Sequence, residues 1–96
     1  MSIEWTEWAA NDLDSLLDYI EQDDLPTALR VGREIIDAVS RLESFPGMGR
    51  PGRIKGTREL VLVPCALPYV VIYEVSAKSI FILRVLHSTQ QWPPMP

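Results

Sequence analysis

LPYVVIYEVSAKSIFILRVLHSTQQW, residues Leu67 to Trp92, is the stretch whose reading decides the fold. Within it lie two apolar runs, Tyr69 to Val75 and Ile80 to Leu86, rich in Val and Ile and parted by Ser76-Ala77-Lys78-Ser79. β-Branched and aromatic side chains suit a pleated strand, and a short polar break between two such runs is the pattern of an antiparallel hairpin. Neither run is long enough for a helix. A two-residue turn at Ala77 and Lys78 predicts that Val75 faces Ile80, Tyr73 faces Ile82, Val71 faces Arg84 and Tyr69 faces Leu86. The other face then carries Val70, Ile72, Phe81, Leu83 and Val85. Both faces are mostly apolar, so a chain this small is expected to cover one with its own helices and the other with a partner.

Upstream of the hairpin, Ser2 to Trp5 reads as a short strand. Thr6 can cap a helix whose apolar stripe is Leu13, Leu16, Leu17 and Ile20, at the spacing of one helical face. Glu21-Gln22-Asp23-Asp24 is a polar break, and Asp24-Leu25-Pro26 is a helix start in which proline costs little. The second helix is predicted to run to about Ser44, with Ala28, Val31, Ile35, Ala38, Val39 and Leu42 on its apolar face, packed antiparallel to the first. Phe45-Pro46-Gly47-Met48-Gly49-Arg50-Pro51-Gly52 ends it. A basic connector leads to a strand over Thr57 to Val63, and Pro64 to Pro68 is the loop into the hairpin. The order strand, helix, helix, strand, strand, strand gives an α+β fold, a helical hairpin on a small antiparallel β-sheet.

At 96 residues the chain is expected to be one domain, residues 1–96. Its N-terminus lacks the basic and apolar regions of a signal peptide, and the apolar run from Leu60 to Tyr73 falls short of the roughly 20 residues of a membrane span. With Cys65 the single cysteine, no internal disulfide can form, and a cytoplasmic setting without membrane contact is the simplest expectation. The formal charge of −4 conceals an asymmetry: residues 1–44 hold eleven acidic against three basic side chains, residues 45–96 two against six. The first half repels nucleic acid; the second attracts an acidic partner or a phosphate backbone.

One histidine, His87, and one cysteine give neither zinc spacing nor a Cys/His nucleophile pair, so no metal or cofactor is expected. Gly47-Met48-Gly49 lacks the strand-before, helix-after context of a phosphate loop. Arg50, Arg53, Lys55, Arg58 and Arg84 are candidates for a surface binding phosphates or carboxylates, against the plainer reading of a solvated loop balancing the acidic helices. Arg84 lies in an apolar strand, where an unpaired charge is costly; it is expected to be paired, with Glu59 or Glu74 as candidates, or exposed for binding. His87, at the strand end, is either a general acid or base or a hydrogen-bonded terminus. Tyr69 and Tyr73 can stack on a base or anchor a peptide, or simply pack.

Ala9-Ala10-Asn11-Asp12-Leu13 with Tyr19-Ile20, Phe45-Pro46-Gly47-Met48-Gly49-Arg50, Gly56-Thr57-Arg58-Glu59-Leu60, Tyr69-Val70-Val71-Ile72-Tyr73 and Ile82 to His87 with Trp92-Pro93 together resemble the RelE/ParE superfamily of bacterial toxins. The resemblance implies a type II toxin-antitoxin module active in growth arrest and plasmid stabilisation, with a cognate antitoxin in a hetero-oligomer. RelE-like members cleave messenger RNA on the ribosome; ParE-like members inhibit DNA gyrase without a recognised active site of their own. The RelE branch carries an arginine where this chain has Val70, lysines near Leu60 and Leu62, and an arginine within Ser88 to Gln91. An RNA cleaver needs such cations, so the ParE branch is favoured. RNA cleavage, with His87 and Arg84 as catalytic residues, stays as the alternative. A non-toxic antitoxin-binding module is the second alternative. Under either toxic mechanism, Arg50, Arg53, Lys55, Arg58, Tyr69, Tyr73 and Arg84 are the expected binding residues.

Overall fold

The computed structural model describes residues 1–62 and 68–90. Its elements are β1 (Ser2–Trp5), α1 (Glu7–Glu21), α2 (Leu25–Ser40), a 3-10 turn (Arg41–Glu43), β2 (Arg50–Pro51), β3 (Arg58–Val61), β4 (Tyr69–Val75) and β5 (Ser79–His87). Both helix starts follow the capping logic of the sequence. Thr6, in extended conformation, accepts the Ala9 N–H on Oγ1 at 3.2 Å. Asp24 accepts the Thr27 N–H at 3.1 Å and the Thr27 hydroxyl at 2.6 Å, with Pro26 in the first turn. The α-helix ends at Ser40, earlier than expected, and the chain tightens into the 3-10 turn that buries Leu42.

The sheet order is β1-β5-β4-β3-β2, and the sheet is mixed rather than purely antiparallel. β1 runs parallel to β5, from Ser2 opposite Ser79 to Trp5 opposite Ile82. Thr6 sets the exit: its N–H donates to the Ile82 carbonyl at 3.1 Å and its hydroxyl to the same oxygen at 2.7 Å. The chain therefore leaves the sheet midway along β5 and becomes α1. β2, two residues long, is a strand that periodicity cannot show. It places Arg50 opposite Glu59 and Pro51 opposite Arg58.

In the hairpin, the Ser76 N–H donates to the Ser79 carbonyl at 2.8 Å, closing the turn over Ala77 and Lys78. Val75 faces Ile80 and Tyr73 faces Ile82, as predicted. Beyond them the register shifts: Ile72 faces Arg84, Val71 faces Val85 and Tyr69 faces His87. Leu83 is the extra residue of a bulge, at the point where β1 ends and Thr6 bonds the Ile82 and Leu83 carbonyls. A one-residue slip exchanges the faces, so Val85 enters the core and Arg84 leaves it.

The core lies between the helices and one sheet face, where Ala9, Val31, Ile35, Ala38, Val39 and Leu42 meet Leu60, Leu62, Val71, Tyr73, Ile80, Ile82 and Val85. The other face does not remain open as expected, because Val70, Ile72 and Leu86 are buried as well. Part of the reason lies in Glu59, opposite Ile72, which draws Arg50 and the connector backbone onto that face. β3 is shorter than the strand predicted over Thr57 to Val63, and Val63 with the loop Pro64 to Leu67 lies outside the described residues. So do Trp92 and the C-terminal Pro93 to Pro96. No described helix is long and apolar enough to cross a membrane.

Candidate functional site

Residues 45–57, the basic connector, are held by two buried side chains. Tyr73 is fully buried; its hydroxyl donates to the Pro46 carbonyl at 2.8 Å and accepts the Gly49 N–H at 2.8 Å. Burial pushes its pKa up, against the smaller lowering effects of the Gly49 N–H and the Arg58 charge, so the hydroxyl stays protonated and able to donate. The fit explains Gly49, since a Cβ there would stand 2.7 Å from the Tyr73 oxygen and 2.8 Å from the Glu59 carbonyl oxygen. Glu59, 2 % exposed, is the second anchor. Oε1 accepts from Arg50 Nη2 at 3.0 Å, Oε2 accepts the Arg53 N–H at 2.8 Å, and Arg53 Nε lies 3.8 Å from Oε2. A buried carboxylate needs such partners.

Arg58 donates to the Gly49 carbonyl at 2.7 Å. Thr57 bonds the Ile54 carbonyl through both its N–H and its hydroxyl, and Gly56 makes the intervening turn at φ 86°. The result is a fixed loop presenting Phe45, Met48 and Ile54 to solvent beside the guanidinium groups of Arg50 and Arg53 and the ammonium of Lys55. Of the predicted cations, Arg50 and Arg53 meet at Glu59, Arg58 ties to the same connector at Gly49, and Lys55 lies exposed on its loop.

Arg84 lies elsewhere. Only 8 % exposed, it donates from Nε to Asp12 Oδ2 at 2.7 Å and from Nη2 to Oδ1 at 2.9 Å, and its guanidinium carbon lies 5.3 Å from the Trp8 ring centroid. Its partner is thus Asp12, neither Glu59 nor Glu74. The same carboxylate accepts the Val85 N–H at 3.0 Å, so Asp12 caps the edge of β5 where β1 no longer covers it. The Asp12 hydrogen bonds hold Arg84 charged, raising its pKa. Its Nη1, buried without an acceptor among the described residues, lies in the guanidinium set against Trp8.

Tyr69 and His87 form a third place, at the end of β4 opposite Tyr73, four residues or about 13 Å along the strand. Their rings meet edge to face at 5.7 Å. Burial raises the Tyr69 pKa. His87 Nδ1 accepts the Thr89 N–H at 3.2 Å and lies 2.7 Å from the Thr89 hydroxyl, so the neutral ring carries its proton on Nε2. Arg84 and His87, three positions apart along β5, point to opposite faces of the strand.

Sequence reasoning missed Glu59 as the organiser of the connector, although a lone acid among four bases was visible. It also missed Asp12, 72 residues from its partner, for which no local signal exists. Among the described residues no three His, Cys, Asp or Glu side chains gather around a possible cation.

Residues 3–92 match the family model described as the ParE toxin of the type II toxin-antitoxin system, parDE. The chain is 48% identical over 91 residues to "Putative toxin Y4kP" of Sinorhizobium fredii (strain NBRC 101917 / NGR234), covering 95% of this chain and 92% of that protein. Among solved structures it resembles a chain of the chromosomal ParDE TA system from P. aeruginosa, with a TM-score of 0.80 and 34% identity over 91% of this chain and 95% of that one. The chain belongs to the ParE toxin family of type II toxin-antitoxin systems.

Proposed function

We propose that this ParE-family toxin acts from a single domain, residues 1–96, in the cytoplasm by inhibiting DNA gyrase, and that a cognate antitoxin neutralises it in a hetero-oligomer. The observation that carries this reading is the engagement of the arginines. Arg84, the cation nearest His87 in sequence, is held by both oxygens of Asp12 and points away from the histidine. Arg50 and Arg53 share Glu59. Phosphoryl chemistry needs cations and an acid/base group converging on one reacting atom. A protein contact needs only the exposed cationic and apolar side chains of the connector. Arg50, Arg53, Lys55 and Arg58 are its polar contacts in this reading, whereas Tyr73 and Arg84 act by holding the structure.

Ribosome-dependent RNA cleavage is retained as the alternative on one observation, the fixed Nε2–H tautomer of His87 beside Tyr69. Gyrase supercoiling measured with purified, antitoxin-free protein, beside ribosome-dependent cleavage of a messenger, separates the two. Inhibited supercoiling with intact messenger is expected, and His87→Ala should still arrest growth. Cleaved messenger with unaffected gyrase would sink the proposal, and harmless expression without antitoxin would leave only a non-toxic binding module.

A further inference from the structure

Past the end of β1, α1 runs beside the far half of β5, and a cavity of about 310 Å³ lies between the helix and the end of the sheet. From the helix it is lined by Asp12, Ser15 and Tyr19, three and four positions apart and so on one side of α1. From the sheet it is lined by Tyr69 and His87, directly opposite each other on β4 and β5. Gln90 borders it too, held in a turn: its N–H donates to the His87 carbonyl at 2.9 Å, and its Oε1 accepts the His87 N–H at 3.3 Å.

Three aromatic rings therefore share one cavity. The planes of Tyr69 and His87 stand at 86°, two walls at nearly a right angle, and the bonds from Thr89 to His87 Nδ1 fix the second wall. Tyr19 is the third ring, 74% exposed, a large side chain whose burial the fold does not use. Among the described residues no lysine or arginine borders the cavity, and its one carboxylate, Asp12, already accepts from Arg84 and the Val85 N–H. α1 carries Glu7, Asp12, Asp14, Asp18 and Glu21 and no basic residue. A phosphate would meet this negative field with no cation to hold it. A purely apolar group would leave the hydroxyls of Ser15, Tyr19 and Tyr69 without partners. An organic cation suits both features, because ring faces attract it, hydroxyl oxygens accept from its N–H groups and the acidic helix raises its local concentration.

We infer that this cavity is an aromatic cage for an organic ammonium group, supplied by a lysine side chain of a bound protein or by a free polyamine. Tyr69 and His87 are its fixed walls and Tyr19 its outer one.

The test is proton NMR of the full chain titrated with butylammonium chloride at fixed pH and ionic strength. Saturable shifts of the Tyr69 and His87 ring protons are expected in the millimolar range, with the butylammonium methylene beside nitrogen moved upfield by the ring faces. Inorganic phosphate should give no saturable shift at these rings. Tyr19→Ala should weaken binding about threefold without lowering the thermal midpoint, since Tyr19 is exposed and alanine favours a helix, while Tyr19→Phe should stay within about twofold of the parent. Spermidine and Nα-acetyl-lysine methylamide then distinguish the sources. Spermidine bound more tightly than butylammonium, and weakened by Tyr19→Ala, marks a free polyamine; the lysine amide bound as well as butylammonium, with spermidine no tighter, marks a protein side chain. No saturable shift from butylammonium, or saturable shifts from phosphate at the same rings, would overturn the cage. So would equal affinity in the parent and Tyr19→Ala, or Tyr19→Phe as weak as Tyr19→Ala.

Discussion

Arg84 shows how a side chain that invites a ligand in the sequence can be engaged within the fold. A cation in an apolar strand invites a ligand, but Asp12 satisfies two of its nitrogens and Trp8 covers its face. Removing one member of such a pair leaves the other partly buried and alone. Arg84→Ala should lower stability by about 3 kcal/mol, below the full cost for a dry pair because Asp12 is 17% exposed. In a urea titration the midpoint should fall, and a midpoint held within error would deny the pair its structural role. Loss of toxicity in this variant is therefore no evidence for chemistry at Arg84 unless stability is measured beside it.

Two elements carry tests of their own. In the connector, Gly49 and Gly47 are two residues apart and stand in opposite situations. A Cβ at Gly49 meets the Tyr73 hydroxyl and the Glu59 backbone, whereas at Gly47 it meets nothing within 4 Å. Gly49→Ala should cost about 2 kcal/mol through overpacking, while Gly47→Ala should stay within about 0.5 kcal/mol of the parent. Equal thermal midpoints for the two would mean that Tyr73 does not fix the connector. At the start of α2, hydrogen bonds from the Thr27 hydroxyl and N–H lower the Asp24 pKa below its ordinary 3.8. A carboxylate whose folded pKa is depressed contributes stability that is present above its unfolded pKa and lost as pH falls through the folded value. Asp24→Asn keeps a capping oxygen but not the charge. The advantage of the parent over this variant in urea should therefore be present at pH 7 and shrink below about pH 4; an advantage that grows in acid would contradict the sign.

Across the whole molecule the charge is divided along the chain. Residues 1–44 are strongly acidic and residues 45–96 basic, and large apolar side chains stay exposed on both halves. On α2, Leu25, Leu29 and Ile36 repeat at helical spacing, with Leu29 63% exposed. These side chains contribute little to the fold. Leu29→Gln with Ile36→Gln should leave the unfolding free energy within about 1 kcal/mol of the parent and reduce self-association of the free toxin in light scattering. A large fall in stability would show instead that the stripe is packed in solution.

The sequence by itself determined the local elements, because each rests on neighbours in the chain. The caps at Thr6 and Asp24, the apolar face from Ala28 to Leu42, and the Ala77-Lys78 turn are all legible in spacing and turn chemistry. The family resemblance was legible too, through short segments scattered along the whole length. Only the tertiary structure decided what distant segments do to one another. It set the parallel pairing of β1, the bulge at Leu83 that exchanged Val85 for Arg84, the two-residue β2, and the joining of Asp12 to Arg84. The candidate site was half legible for the same reason. Four clustered cations announce the connector, but whether each is free depends on Glu59 and Tyr73, whose positions follow from strand register. Register is set by packing across the sheet, and a slip of one residue changes every partner at once.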